Sequence, residues 1–341
     1  MLRRFLWVFF VLGFLLGVTG AASSQEPFYR GKVLRIIVGF PPGGGYDTYT
    51  RLIARHWGKH IPGNPTIVVD NMSGAGSMIS ANHIYKVAKA DGLTIGHFIG
   101  GLFLQQLLDK PGIEFDARKF EYIGAPAQDI FLIGVSKASG IASVQQWLAS
   151  KTVIKFGGAG FGAGTDDIPA LLREVMGLPL QLVAGYKGTA DIRLAFNNGE
   201  IHGIANSWQS IRSTWRNELD SGLLNIILHV ALKTQHPELA KYPLAGDLVK
   251  NEDGRKLIQA VTLVHGASVR PYVLPPNTPK ERVQLLRKAF SETMKDENFL
   301  AEAQKGNIDI NPVNGEELAK SVRGVLQLES GLVAKLKEIL K

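Results

Sequence analysis

The chain reads as an α/β protein built in two halves, each a mixed, mainly parallel sheet flanked by helices. Three observations predict this. Short β-branched apolar runs alternate with segments of helical character of about 10–15 residues, the signature of βαβ units. The alternation occurs twice, before and after residue 128. Glycine-rich stretches stand between a strand and the next helix in both halves.

In the first half, VLRIIVGF reads as a buried strand and residues 46–60 as a helix. TIVVDNM is a second strand, MISANHIYKVAK a second helix ending at the Asp91-Gly92 turn, and LTIGHFI a third strand. In the second half come DIFLIGVS, a helix around SVQQWLAS, TVIKFGG, a helix from Thr165 to Met176, LQLVAGY, a helix from Ala190 to Asn197, and IHGIANS. The C-terminal part is different. PPNTPKERVQLLRKAFSETMKDENFLAEAQ reads as one long helical region entered through Pro279, and GEELAKSVRGVLQLESGLVAKLKEIL as a final amphipathic helix. Helices of this kind are expected to pack on one half, so the chain crosses between halves more than once.

The first 24 residues stand apart. Arg3 and Arg4 precede the apolar run FLWVFFVLGFLLGV, and small residues follow, the layout of a secretory signal peptide with cleavage after Ala22 or Ser24. The chain has no cysteine, which excludes a lipid anchor, disulfides, thiol chemistry and cysteine metal sites. Of 38 basic and 30 acidic residues, removing Arg3 and Arg4 leaves a balance of +6, spread without a dense basic block. This suits a soluble exported protein with a preference for anions and does not suit a nucleic-acid binder. The 317 residues left after removing 24 from 341 exceed what one core usually serves, so two domains are expected.

Three loops have the chemistry to hold an anion. GFPPGGGYD (Gly39 to Asp47) carries three successive glycines into a helix whose first N–H groups are unpaired, with Asp47 placed to cap it. NMSGAGS (Asn71 to Ser77) repeats the arrangement, with Ser73 and Ser77 as hydroxyl donors. Two such loops at one edge of a parallel sheet face the same crevice. KFGGAGFGAGTD (Lys155 to Asp166) supplies a third loop from the other half. The same glycines also suit tight connections that bind nothing.

Gly158, Gly160 and Ala163 satisfy a G-x-G-x-x-A spacing, but the next strand, LQLVAGY, lacks the acid that a dinucleotide ribose requires. In HWGKH, His56 and His60 are four apart, yet Trp57 stands where a zinc protease needs glutamate. The sequence has neither a G-x-S-x-G elbow nor a phosphate-binding G-x-x-x-x-G-K-[ST]. No catalytic set, metal site or cofactor is therefore expected.

RIIVGFPPGGGYDTYTRLIAR and VVDNMSGAGSMISANHIYKVAKADGLTI resemble the substrate-binding receptors of tripartite tricarboxylate transporters, the Bug or TctC-like family. The matching positions are Pro42, Gly44, Gly45, Asp47, Ala54 and Arg55, then Val69, Asn71, Gly74, Ala75, Gly76, Asp91 and Gly92. Tyr186, Lys187, Gly188, Gly199 and Ile201 continue the likeness. The chain departs from the pattern at Thr165, in a serine place, at Ile168, where histidine is common, and in HPELAKYPLAGDLVKNEDGRKL.

The resemblance implies a two-lobe periplasmic-binding-protein (type II-like) fold, with lobe 1 formed by 25–128 and a return segment 232–341, and lobe 2 by 129–231. It implies a monomeric periplasmic receptor that is not an enzyme. Such a receptor closes on a small di-, tri- or aromatic carboxylate and delivers it to membrane permease subunits. The positions implied to hold the ligand are Gly44, Gly45, Tyr46 and Asp47, then Ser73, Gly74, Ala75 and Gly76, and from the other lobe Gly160, Gly162, Gly164, Thr165, Asp166, Tyr186, Asn206 and Trp208. Asp47 is expected to orient its helix without touching an anion. Hinges are expected near Ala127–Ile130 and His229–Leu232. A sensor that docks on a signalling receptor, and a periplasmic enzyme acting on carboxylic acids, are the alternatives.

Overall fold

The computed structural model describes residues 26–232, 236–266 and 270–341; the expected signal peptide lies outside them. Two sheets carry the fold. The first has the order β11-β4-β10-β3-β1-β2. Its strands are β1 (Val33–Val38), β2 (Thr66–Asn71), β3 (Thr94–His97), β4 (Glu121–Ala125), β10 (Tyr272–Leu274) and β11 (Val313–Asn314). The second has the order β7-β6-β8-β5-β9, from β5 (Phe131–Ser136), β6 (Ile154–Gly157), β7 (Leu180–Val183), β8 (Gly203–Ser207) and β9 (Leu224–His229).

Each sheet is parallel on one side and antiparallel on the other. Strand β1 runs parallel to β2 and β3, and β10 joins this trio to β4 through antiparallel pairs. Likewise β6 is parallel to β7 and β8, while β5 lies antiparallel between β8 and β9. Residues 126–130 carry the chain from the first sheet to the second, and the first sheet is re-entered at Tyr272.

Apolar packing explains why these strands sit centrally. All six residues of β5 are buried, as are the last three of β1. Trp57 meets Tyr272 and Phe290 edge-on, Trp147 stacks on Phe156 at 5.7 Å, and Trp215 packs against Phe196 at 5.4 Å. One apolar cluster runs unbroken from Ile37 and Phe98 beside the first sheet to Leu132 and Trp147 of the second part.

Several elements differ from the sequence reading. The third strand is shorter than LTIGHFI and is followed by a helix, Gly101–Leu107. The long helical region is two helices, Lys280–Thr293 and Glu297–Lys305, because Asp296 turns its carboxylate onto the Phe299 N–H and starts a new helix. The final segment also divides, into Gly315–Val325 and Ser330–Ile339. Helix Glu252–His265 follows an Asn251 cap and packs on helix Gly164–Met176 and on helix Gly315–Val325, bridging the two parts.

Candidate ligand-binding site

The first glycine loop ends in helix Gly45–Trp57, whose N-cap, Gly44, is extended and offers no side chain. Asp47, one turn in, accepts hydrogen bonds from the Gly43 N–H at 3.0 Å, from Arg51 Nε at 2.9 Å and from Asn71 Nδ2 at 2.9 Å. Burial works to raise the Asp47 pKa, but Arg51, the Gly43 N–H and Asn71 outweigh it and hold the carboxyl below its ordinary value. Asn71 also donates to the Phe40 carbonyl at 2.8 Å. Asp47 thus wires the first loop to the second.

The second loop carries four consecutive positive φ angles: 137° at Gly74, 47° at Ala75, 58° at Gly76 and 69° at Ser77. A β-carbon on Gly76 would lie 2.7 Å from the Phe161 carbonyl oxygen, and one on Gly160 would lie 2.9 Å from the Gly76 nitrogen. The second and third loops therefore touch backbone to backbone across the two parts. Gly162 meets Gly101 and Leu102 in the same way.

In the third loop, Asp166 fills the nest that its own backbone makes. Its Oδ2 accepts from the N–H of Ala159 at 2.7 Å, the N–H of Gly160 at 3.0 Å and the Thr165 hydroxyl at 2.8 Å. Burial is the strongest influence on this carboxyl and raises its pKa to about 6, against those three donors.

Between the sheets lies a narrow cavity of about 40 Å³. Gly44, Gly45 and Tyr46 line it from one side, and Gly164, Thr165 and Asn206 from the other. The structure keeps Asp47, Ser73, Gly74, Ala75, Gly76, Gly160, Gly162 and Asp166 off its wall. Asp47 and Asp166 orient their loops, and Gly76, Gly160 and Gly162 make the contacts between the two parts described above. Tyr186 is half-buried and away from the cavity. Trp208 is buried elsewhere, its ring near Arg212 and His236.

Sequence reasoning missed the charged centre of this cavity. Arg270 is fully buried and lines it. Its Nε donates to Asp129 Oδ1 at 2.6 Å, and its Nη2 donates to Ser210 Oγ at 2.9 Å and Ser207 Oγ at 3.2 Å. The rings of Tyr46 and Tyr49 flank the guanidinium at 4.7 and 4.6 Å. Burial disfavours its charge, but Asp129 and the two tyrosines outweigh burial, and Arg270 stays protonated. Behind Tyr46, His97 is pushed down to about 3 by burial and is neutral, its Nδ1 donating to the Pro271 carbonyl. The available signal was a lone arginine in the apolar run ASVRPYVL. Among the described residues no cluster of three or more His, Asp or Glu is arranged to hold a metal ion, and no helix is long and apolar enough to cross a membrane.

Two mixed sheets joined by two crossings of the chain, one short at 126–130 and one returning before Tyr272, with a cavity between them, define the architecture of two-lobed binding proteins. The structure superposes on that of the periplasmic binding protein BugD with a TM-score of 0.75 at 21% identity, covering 91% of this chain and 98% of the other. MatC from Rhodopseudomonas palustris, solved with bound malate, gives 0.71 at 18% identity over 91% of this chain and 99% of that one. An R. palustris protein solved with adipate gives 0.72 at 19% over 90% and 97%. Residues 51–337 match the family described as tripartite tricarboxylate transporter family receptor, and the chain belongs to that family. Protein BugT of Bordetella pertussis is 37% identical over 86 residues, 25% of this chain; the match spans about a quarter of that relative's length, 26%.

Proposed function

We propose that this chain is an exported periplasmic receptor that closes on a small carboxylate between its lobes and delivers it to transporter permease subunits. The observation that carries the reading is a cavity between two sheets with a buried, protonated arginine in its wall. Family membership supports the receptor role over catalysis, and the malate and adipate of similarly folded proteins support a carboxylate. In this reading 25–128 and 232–341 form lobe 1 and 129–231 forms lobe 2, and the mature chain acts as a monomer.

Gly44, Gly45, Tyr46, Gly164, Thr165 and Asn206 surround the ligand. Asp47 and Asp166 shape their loops, while Ser73–Gly76, Gly160 and Gly162 meet on closure. A cavity of about 40 Å³ has room for one or two water-sized groups, so a bound solute holds the lobes slightly farther apart.

Native mass spectrometry of the purified protein, followed by a thermal-shift screen of carboxylic acids, tests the proposal. An acid at 100 times its Kd adds about 2.7 kcal/mol. A shift with an acid recovered unchanged supports a receptor. An acid recovered chemically altered, or no shift with any, overturns it.

A further inference from the structure

Two buried donors at the cavity have no partner among the described residues: Arg270 Nη1 and Asn206 Nδ2. The Arg270 fork is held rigidly, since Nε and Nη2 are committed to Asp129 and to the two serines. The Asn206 amide is oriented as well, because its Oδ1 accepts the Ser207 N–H at 2.9 Å and leaves Nδ2 turned away. Both residues are bonded to Ser207, Arg270 through Nη2 to its hydroxyl and Asn206 through Oδ1 to its N–H. Buried donors without acceptors are costly, the charged one most of all. Both residues line one cavity, and two unpartnered donors there match the two oxygens of an anion.

The charge around this pair limits the anion. Arg270 is the sole cation among the described residues lining the cavity, and Asp129 is the sole anion. Asp129 already balances Arg270 through a bond of 2.6 Å. The first ligand carboxylate is met by the two unpartnered donors, one of them on a guanidinium. A second finds neither a further unpartnered buried donor nor a counter-cation among the described residues of this wall, and burying it uncompensated is strongly unfavourable. The rest of the wall includes Phe40, Ile99 and Phe131, which suit an apolar body.

Resting on the carboxylate-receptor reading above, we infer that Arg270 Nη1 and Asn206 Nδ2 seat a single ligand carboxylate, and that the site selects monocarboxylates with an apolar body over di- and tricarboxylates. The selectivity comes from the Asp129–Arg270 pair and the seat from side chains, with the glycine loops supplying shape.

The test is isothermal titration of the whole mature protein with matched probes: hexanoate against adipate, and benzoate against terephthalate. In each pair the second acid differs by one added carboxylate. The expected result is that at least one monocarboxylate binds at least 10-fold more tightly than its partner. Asn206→Asp presents an acceptor where the seat needs a donor, and it is expected to weaken that acid on the order of 100-fold. Because loss of Arg270 alone strands Asp129, the double variant Arg270→Met with Asp129→Asn serves as the second probe, with a similar loss expected. If the diacid binds as well as or better than the monoacid, the single-charge clause is overturned. If N206D and the double variant bind the monoacid within threefold of wild type, the seat is overturned. In both cases carboxylate binding survives, and with it the receptor reading. Failure of every acid to bind removes the receptor reading and the seat together.

Discussion

Arg270 Nε donates to Asp129 Oδ1 at 2.6 Å, and both side chains are almost completely excluded from solvent. Asp129 lies in the passage from β4 to β5, and Arg270 lies just before β10, where the chain re-enters the first sheet. The bond therefore pins together two stretches far apart in sequence at the junction of the sheets. Arg270→Met is expected to strand a buried carboxylate and cost about 3–5 kcal/mol, and adding Asp129→Asn is expected to recover much of that. Urea denaturation of the three proteins measures it; equal stability of the single and double variants would show that the pair is not coupled.

Asp166 predicts a pH dependence. Burial raises its pKa from 3.8 to about 6 in the folded chain. A carboxyl raised on folding adds stability that is fully present below 3.8 and is lost as pH rises through about 6. Against Asp166→Asn, the wild type should lose about 2–3 kcal/mol between pH 3 and pH 7. Chemical denaturation of both proteins across that range isolates the difference, and parallel profiles would refute it.

The approach of Gly160 to Gly76 predicts that lobe closure has little clearance. Gly160 has φ of 120°, and a β-carbon there would meet the Gly76 nitrogen at 2.9 Å. Gly160→Ala should weaken ligand binding by about 10-fold through the propped-open contact, beyond a backbone cost that lowers stability alone. Gly177→Ala is the control, because Gly177 has φ of 67° and open space around it. It should lower stability by a similar backbone cost of about 1–2 kcal/mol without changing affinity. Calorimetry with small-angle scattering distinguishes the two; equal affinities would mean that the loops do not limit closure.

Trp208 offers the opposite expectation. Its ring lies against Arg212 and His236 and not on the cavity. Trp208→Phe should leave ligand affinity within about threefold while lowering the melting temperature through lost packing. A larger loss of affinity would place the ring at the ligand after all.

Much of the chain was legible because its signals are local. The β-branched runs became strands, and Gly44, Gly45 and Tyr46 reached the cavity because a glycine turn between a strand and a helix points its backbone at the sheet edge. Asp47 is placed in the sequence to cap its helix, but the N-cap is Gly44, with no side-chain cap bond. Asp47 instead accepts from the Gly43 N–H and from Asn71, tying the two loops together off the cavity wall. Asp166 also lay near the site, but its carboxylate closed the third loop on itself, and no local pattern distinguishes a self-filled nest from an open one.

The sequence by itself determined the two α/β halves, the helix-opening glycine loops and the family. Each of these is read from short local segments, recurring along the chain, where periodicity and turn chemistry act. Only the tertiary structure decided what the cavity is made of. Arg270 and Asp129 are 141 positions apart, and Arg270 and Ser210 are 60 apart. A lone arginine has no periodicity and no local partner. Its role appears only when the second crossing of the chain brings it beside Asp129, and when burial makes an unpaired N–H too costly to leave without purpose.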